Sequence, residues 1–257
     1  MSIFRNPVVE SIMALIALFL FWEGAVRLLG VPQFILPAPS AMFGAVLPRA
    51  DIIVQHSLIT LSGTMLSLAL GAGLGMLAGL AIGYSPTLSR LLYPLMGGLH
   101  ALPMSAFIPI FVVWFGVGSM PKILAGMLIA FFPVAVNVVT GLRTIENDLW
   151  EMLRTLGASK AQIFQKVGVP RTLPYFFAAL KVAAAGAFIG NVVGEMIAAG
   201  SGLGYVLILA TTSLNMPLAF GALTVLLLFG VALFTLFDSV EKRLAPWAYR
   251  SGKDQAR

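Results

Sequence analysis

What most limits the possible folds of this chain is the spacing of its few charges. Ile52 to Ser89 contains no Asp, Glu, Lys or Arg, and neither do Leu91 to Pro121, Ile123 to Leu142 or Met196 to Phe237. A bilayer-spanning helix needs about 20 consecutive apolar residues. The first two runs therefore each hold one span plus a loop, and the last holds the end of one span, a connection and another. Strand-type spans would alternate apolar and polar residues, and these runs do not. Charged residues make up 10% of the chain and hydrophobic residues 59%, against roughly 25% charged in soluble domains. The fold class this predicts is all-α, a polytopic membrane protein.

Six spans are expected, at about 8–29, 57–84, 91–115, 122–142, 173–197 and 218–240. The first carries Glu10, Glu23 and Arg27. It is too long for a signal-peptide core and lacks a small-x-small cleavage site, so it reads as a retained anchor. With the N-terminus inside, the inner face holds Arg5, Arg90, Arg143, Arg154, Lys160, Lys166, Arg171, Lys242, Arg243, Arg250, Lys253 and Arg257. Lys181, about two turns into span five, can snorkel to the same face. The outer face holds only Arg27, Arg49 and Lys122. That bias puts both termini on the cytoplasmic side, with Trp247 and Tyr249 as an inner interfacial anchor. The net charge of +6 is thus topological. No basic patch interleaved with aromatics lies outside these loops, which argues against a nucleic-acid partner.

Chemistry on the chain itself is sparse. There is no Cys and there are only two His, His56 and His100, so thiolate metal sites are impossible and a histidine ligand pair has no support. No phosphate-binding loop and no dinucleotide fingerprint is present. The chain is read as a non-enzyme that binds no cofactor, and as a single membrane domain, 1–257, with a core at 57–240.

One interval breaks the apolar pattern, a loop at about 144–171 containing EMLRTLGASKAQIFQKVGVP (151–170). Acids at Glu146, Asp148 and Glu151 suit the positive end of a helix dipole. Leu149, Leu153, Leu156 and Ile163 supply an apolar side at helical spacing. Gly157 breaks the helix, Ser159 is an N-cap for a second one running to about Val167, and Pro170 and Pro174 bracket the start of span five. Such a hairpin either presents itself to a partner or lies amphipathically on lipid headgroups.

The loop resembles the EAA signature of permeases of ATP-binding-cassette (ABC) importers: E-A-A, three residues, G, nine residues, I-x-L-P. Here the pattern reads Glu151-Met152-Leu153, Gly157 and Val167-x-Val169-Pro170. Met and Leu replace the two alanines and Val replaces both Ile and Leu, which keeps apolar character. LGASKAQIF (156–164), WFGVG (114–118), GEMIAAGSGLGYVL (194–207) and LPAPS (36–40) also resemble the nitrate/sulfonate/taurine branch of type I importer permeases. The resemblance covers nearly the whole chain. It implies a MetI-like fold and a homodimer with two ATPase subunits, which carry ATP and Mg. It also implies a periplasmic or lipid-anchored solute-binding protein and a place in the bacterial cytoplasmic (inner) membrane. Its coupling residues would be Glu151, Met152, Leu153, Leu156, Gly157, Ala158, Ser159 and Pro170, with Glu151 accepting a charge-assisted bond from the ATPase. The cargo would be a nitrate-, sulfonate- or taurine-like anion or a small organic molecule.

For the translocation path, Pro103 and Pro109 are expected to kink span three, next to Ser105 and His100, the latter read as a packing or capping residue. Asn137, Asn191 and Glu195 are the other polar groups at depth, with Asn191 and Glu195 one helical turn apart. Each Asn either lines a pore or ties helices together. Glu195 reads as pore rim or gate, and for an anionic cargo it has to pair with a basic group or face away. A stand-alone secondary transporter or channel is the alternative, and an intramembrane enzyme a third reading. The first would need mid-depth charges, to which only Glu195 and Lys181 come close, and inverted repeats, of which none is evident. The second would need a catalytic constellation, and none is visible at depth.

Overall fold

The computed structural model describes residues 7–100 and 102–244, apart from the side chains of residues 7–9, 11, 12, 100, 147 and 244. The expected role of His100 and the tail anchor of Trp247 and Tyr249 lie outside what is described.

The described residues fold into helices. α1 (Pro7–Leu28) is followed by short α2 (Pro39–Val46), which continues through a 3-10 turn at Leu47–Arg49 into α3 (Ala50–Tyr84). α4 (Pro86–His100) and α5 (Ile108–Phe115) precede α6 (Ser119–Arg143). α7 (Asn147–Thr155) and the single turn α8 (Lys160–Ile163) form the polar hairpin. α9 (Val169–Ala198), α10 (Leu203–Thr212) and α11 (Met216–Leu244) complete the chain.

Four helical segments are long and apolar enough to cross a membrane, and a fifth if the bent pair α4 and α5 counts as one span. α1 adds 22 residues, about 33 Å at 1.5 Å per residue. Five of the expected spans thus fall on those segments and the first on α1 by position, with one difference of shape. Span three is broken: α4 ends at His100, and a 3-10 turn at Met104–Phe107 leads into α5. Pro103 is the N-cap of that turn and Pro109 sits in the first turn of α5. Pro109 therefore starts a helix where its missing N–H costs nothing, and does not kink one.

α3, α6 and α9 form the centre, with α6 packed against both of the others. Its core is built from small side chains, among them Ala72, Ala130, Val134, Val138, Ala183, Ala184 and Ala187. In lipid, helices associate by close van der Waals packing, and small residues permit the approach. At Gly71 a Cβ would stand 2.5 Å from the Met127 carbonyl, and at Gly75 2.7 Å from that of Phe131. Those glycines pack, as their four-residue spacing suggests. Leu77, Val182, Leu227 and Leu228 point outward and stay exposed, as a lipid-facing surface requires. A second core joins α10 and α11 to the start of α3 through Ile53, Leu203, Leu207, Ala219 and Ala222.

Candidate functional sites at the two ends of the bundle

The polar hairpin closes one end. α7 ends in a left-handed Gly157 with φ +84°. Gly157 N–H donates to the Arg154 carbonyl at 2.9 Å and Ala158 N–H to that of Leu153 at 3.0 Å. This pair of bonds is the Schellman arrangement, which glycine adopts without steric cost. Ser159 then caps the next helix: Gln162 N–H donates to Ser159 Oγ at 3.3 Å, and Ser159 N–H to Gln162 Oε1 at 2.8 Å. This is a capping box, with two orphan amides satisfied reciprocally.

The second arm does not stop near Val167. It widens into a π-turn at Phe164–Gly168 and runs on as α9, so that Lys160–Ala198 is a continuous helical stretch of 39 residues. Pro170 lies in the first turn of α9. A proline ring clashes with the carbonyl four residues back, and the wide turn just before it makes room. Glu151, Met152, Leu156, Gly157, Ser159 and Pro170 are exposed, while Leu153 and Ala158 are half-buried. Leu156 is 75% exposed, so it leaves the apolar side assigned to it, whereas Ile163 is buried. Among the described residues the Glu151 carboxylate meets no donor or cation.

At the opposite end lies a buried polar cluster, about 32 Å away along α6, from Lys122 to Arg143 at 1.5 Å per residue. Glu195 Oε1 accepts from Lys122 Nζ at 3.0 Å, with both side chains almost wholly buried. Asn191 Nδ2 donates to the same oxygen and to the Thr60 carbonyl, each at 3.2 Å. Glu195 Oε2 accepts from Thr60 Oγ1 at 2.8 Å and from Gly204 N–H at 3.1 Å. Leu203 N–H donates to Thr60 Oγ1, and Gly202 N–H to His56 Nδ1, both at 2.8 Å. His56 therefore presents a bare Nδ1 toward the turn.

The GEMIAAGSGLG sequence thus folds back on its own Glu195. Gly202 has φ +101°, and a Cβ there would stand 2.1 Å from the Glu195 carboxyl carbon, so both conformation and space demand glycine. The WFGVG turn is tied to the same place, since Gly118 N–H donates to the Ala198 carbonyl at 2.8 Å. LPAPS is anchored to α1: Glu23 accepts from Ser40 N–H at 2.9 Å and from Ser40 Oγ at 2.7 Å, and Arg27 Nε donates to Glu23 at 2.6 Å.

Of the four expected path residues, Asn191 and Glu195 come together and are buried. Ser105 and Asn137 are half-buried and share no hydrogen bond with them among the described residues, and Asn137 Nδ2 is bonded to the Pro133 carbonyl of its own helix at 2.8 Å. Two lysines are placed differently from the sequence reading. Lys122 lies at the end opposite the hairpin, but as the buried partner of Glu195 and not as an exposed charge. Lys181 is ion-paired with Asp238 at 3.1 Å and Glu241 at 2.6 Å in the last turns of α11, where nearby carboxylates stabilise a charge that the sequence reading left to snorkelling alone. Sequence reasoning missed Lys122, Thr60 and His56. The usable signal was that Lys122 stands alone between two long uncharged runs. Among the described residues no group of three potential metal ligands occurs.

Residues 71–248 match the family model described as the binding-protein-dependent transport system inner membrane component. The chain is 33% identical to the formylaminopyrimidine transport permease protein ThiX of Halalkalibacterium halodurans, over 93% of this chain and 95% of the relative. To the taurine transport system permease protein TauC of Escherichia coli it is 29% identical, over 94% and 90%. It also shares the fold of a chain of the methionine ABC transporter MetNI in an inward-facing conformation. The TM-score is 0.67 at 21% identity, over 77% of this chain and 98% of that one. With its apolar helices and no strand among the described residues, this chain belongs to the binding-protein-dependent transport system inner membrane components, the membrane-spanning permease subunits of ABC importers.

Proposed function

We propose that two copies of this chain form the translocation unit of an importer whose energy comes from two separate ATPase subunits, which bind ATP and Mg. The ATPases dock on the hairpin at about 144–171, the cytoplasmic face of a bacterial inner membrane. A periplasmic or lipid-anchored solute-binding protein delivers cargo at the opposite end. Relatives named for taurine and for a formylaminopyrimidine support a small polar solute of the sulfonate or heterocyclic organic kind. The chain acts as one membrane domain, with both termini cytoplasmic.

The observation that carries the reading is the state of the hairpin. Glu151 and Met152 project from α7, Leu156 is exposed just past its end, and Glu151 is left without a partner among the described residues. An apolar pair beside an unpaired carboxylate suits a cleft with a basic group, and Gly157 lets the chain turn close to it. Leu153, Ala158, Ser159 and Pro170 hold the hairpin's shape. Closure of the ATPases then rocks the bundles as rigid bodies.

Ser105, Asn137, Asn191 and Glu195 border the cargo path in this proposal. Supporting it, Asn191 Oδ1 has no donor among the described residues and lies directly behind Gly63, 2.5 Å from where a Cβ would be. Gly63, Ser62, Ser119 and Lys122 line a small groove of about 150 Å³ between α3 and α6. The Lys122 ion pair neutralises Glu195, so the carboxylate does not repel an anion.

The test is reconstitution. The chain alone should hydrolyse no ATP and take up no solute. With its ATPase it should form a complex with two copies of each, whose ATP hydrolysis rises on adding the binding protein. Solute-dependent uptake by the isolated chain in ATP-free liposomes would overturn the proposal.

A further inference from the structure

We propose that the cavity between the foot of α3 and the polar hairpin binds a phosphate-type anion, supplied by an anionic phospholipid headgroup. The cavity holds about 300 Å³ and is lined by Tyr84, Arg143, Ile145, Trp150, Lys160 and Phe164, together with Gly83 and Leu142. At about 30 Å³ per water, that is room for some ten waters, enough for a phosphate and part of its glycerol.

Its electrostatics are one-sided. Two cations stand on the wall and, among the described residues, no carboxylate lines it. The Arg143 guanidinium lies over the Tyr93 ring at 3.9 Å and gives Ser89 Oγ one bond at 2.8 Å. Among the described residues most of its five N–H donors have no other acceptor. The Lys160 ammonium stands 4.5 Å over the Tyr84 ring and makes no hydrogen bond or ion pair among the described residues. Tyr84 is braced edge-on by Phe164 at 5.0 Å. The stacking holds both cations in fixed positions, which lowers the ordering cost of binding. Two like charges facing one cavity repel, and an anion between them relieves that.

The cavity lies where α3 and α6 end, flanked by Tyr84, Tyr93 and Trp150, amphipathic rings suited to headgroup depth. Basic pockets between spans on the cytoplasmic side take anionic headgroups, each Lys or Arg contributing about fivefold in affinity. Such a lipid would bridge α3, α6 and the hairpin, and so hold the hairpin against the bundle. The inference rests on the proposed function only for which membrane face this is.

The test uses the full chain in detergent with added phosphatidylglycerol, with retained lipid counted by native mass spectrometry. Lys160→Gln and Arg143→Gln should each weaken retention about fivefold and the double variant about 25-fold. Arg154→Gln and Lys166→Gln remove the same charge outside the cavity and should leave retention within about twofold. Lys160→Gln alters an exposed side chain, so it keeps the test valid where Arg143→Gln impairs folding. Displacement of the lipid by inorganic phosphate at constant ionic strength would show that the site takes free anions too. Failure to displace would mark the headgroup as the ligand. Equal loss in all four single variants, or equal retention of phosphatidylcholine, would overturn the site. No ATPase is present in this assay, so its failure is distinct from a failure of ATPase docking.

Discussion

At the scale of single residues, the two ends of the bundle treat their charges in opposite ways. Glu151 is left exposed, while Glu195 is sealed and given one cation and three further donors. Removing one partner of a buried pair leaves an uncompensated charge and costs about 3–5 kcal/mol, whereas replacing both with apolar residues is often neutral. Lys122→Met should therefore strongly lower the thermal unfolding temperature of the purified chain, and Lys122→Met with Glu195→Leu should recover most of the loss. A double variant as unstable as the single one would mean that Thr60 and the Gly202–Gly204 turn, not the charge pair, dominate. Gly202→Ala should also destabilise, since it meets both a left-handed φ and the Glu195 carboxylate. At the other end, Gly157→Arg should abolish co-purification of the ATPase by filling the cleft. Glu151→Ala should weaken it by roughly 1.5–3 kcal/mol, the worth of a hydrogen bond to a charged group. Intact recovery of the complex with Gly157→Arg would return the hairpin to the lipid-surface reading.

At the scale of elements, the spans were legible because lipid imposes a coarse rule, long runs without charge, that a sequence displays openly. The two arms of the hairpin were legible for a local reason: Gly157 and Ser159 act through bonds to neighbours three to five residues away. The ends of elements were not. Pro103 read as a kink and stands at the sharp break between α4 and α5, whereas Pro109, also read as a kink, begins a helix. The second arm was expected to end near Val167, ahead of Pro170, yet it runs on through the π-turn into α9. The Lys122–Glu195 pair joins residues 73 apart, and no local periodicity points from one to the other. The capping box is a feature of α8 alone and is testable there. Ser159→Ala should cost about 1 kcal/mol, seen as faster hydrogen exchange at the Gln162 amide with α9 unaffected. Unchanged exchange would mean that the wide turn, not the cap, fixes this arm.

At the scale of the whole molecule, the chain places family-like sequences at both ends of one three-helix centre. LPAPS fastens α1 to α2, and WFGVG and GEMIAAGSGLG converge where α3 begins, α6 begins and α9 ends. The absence of native cysteine makes accessibility simple to measure in the assembled transporter. Cysteines at Ser105, Asn137 and Asn191, and at Glu195 together with Lys122→Met so that no charge is stranded, should label with a water-soluble thiol reagent at rates that change on adding ATP or binding protein. Constant protection at all four positions would mean that these groups only join helices.

The unbroken helical stretch from Lys160 to Ala198 has a mechanical consequence. From Lys160 to Glu195 its helical path is about 53 Å, at 1.5 Å per residue, with the π-turn and Pro174 inside it. A tilt of about 10° at its foot would carry the far tip roughly 9 Å, by the same geometry. The ammonium of Lys122 is held only 3.0 Å from that tip and cannot be left behind without stranding a bare charge in the interior. This stretch and α6 are thus joined at Lys122–Glu195 as they are packed along their length, so a displacement that moves one would move the other with it.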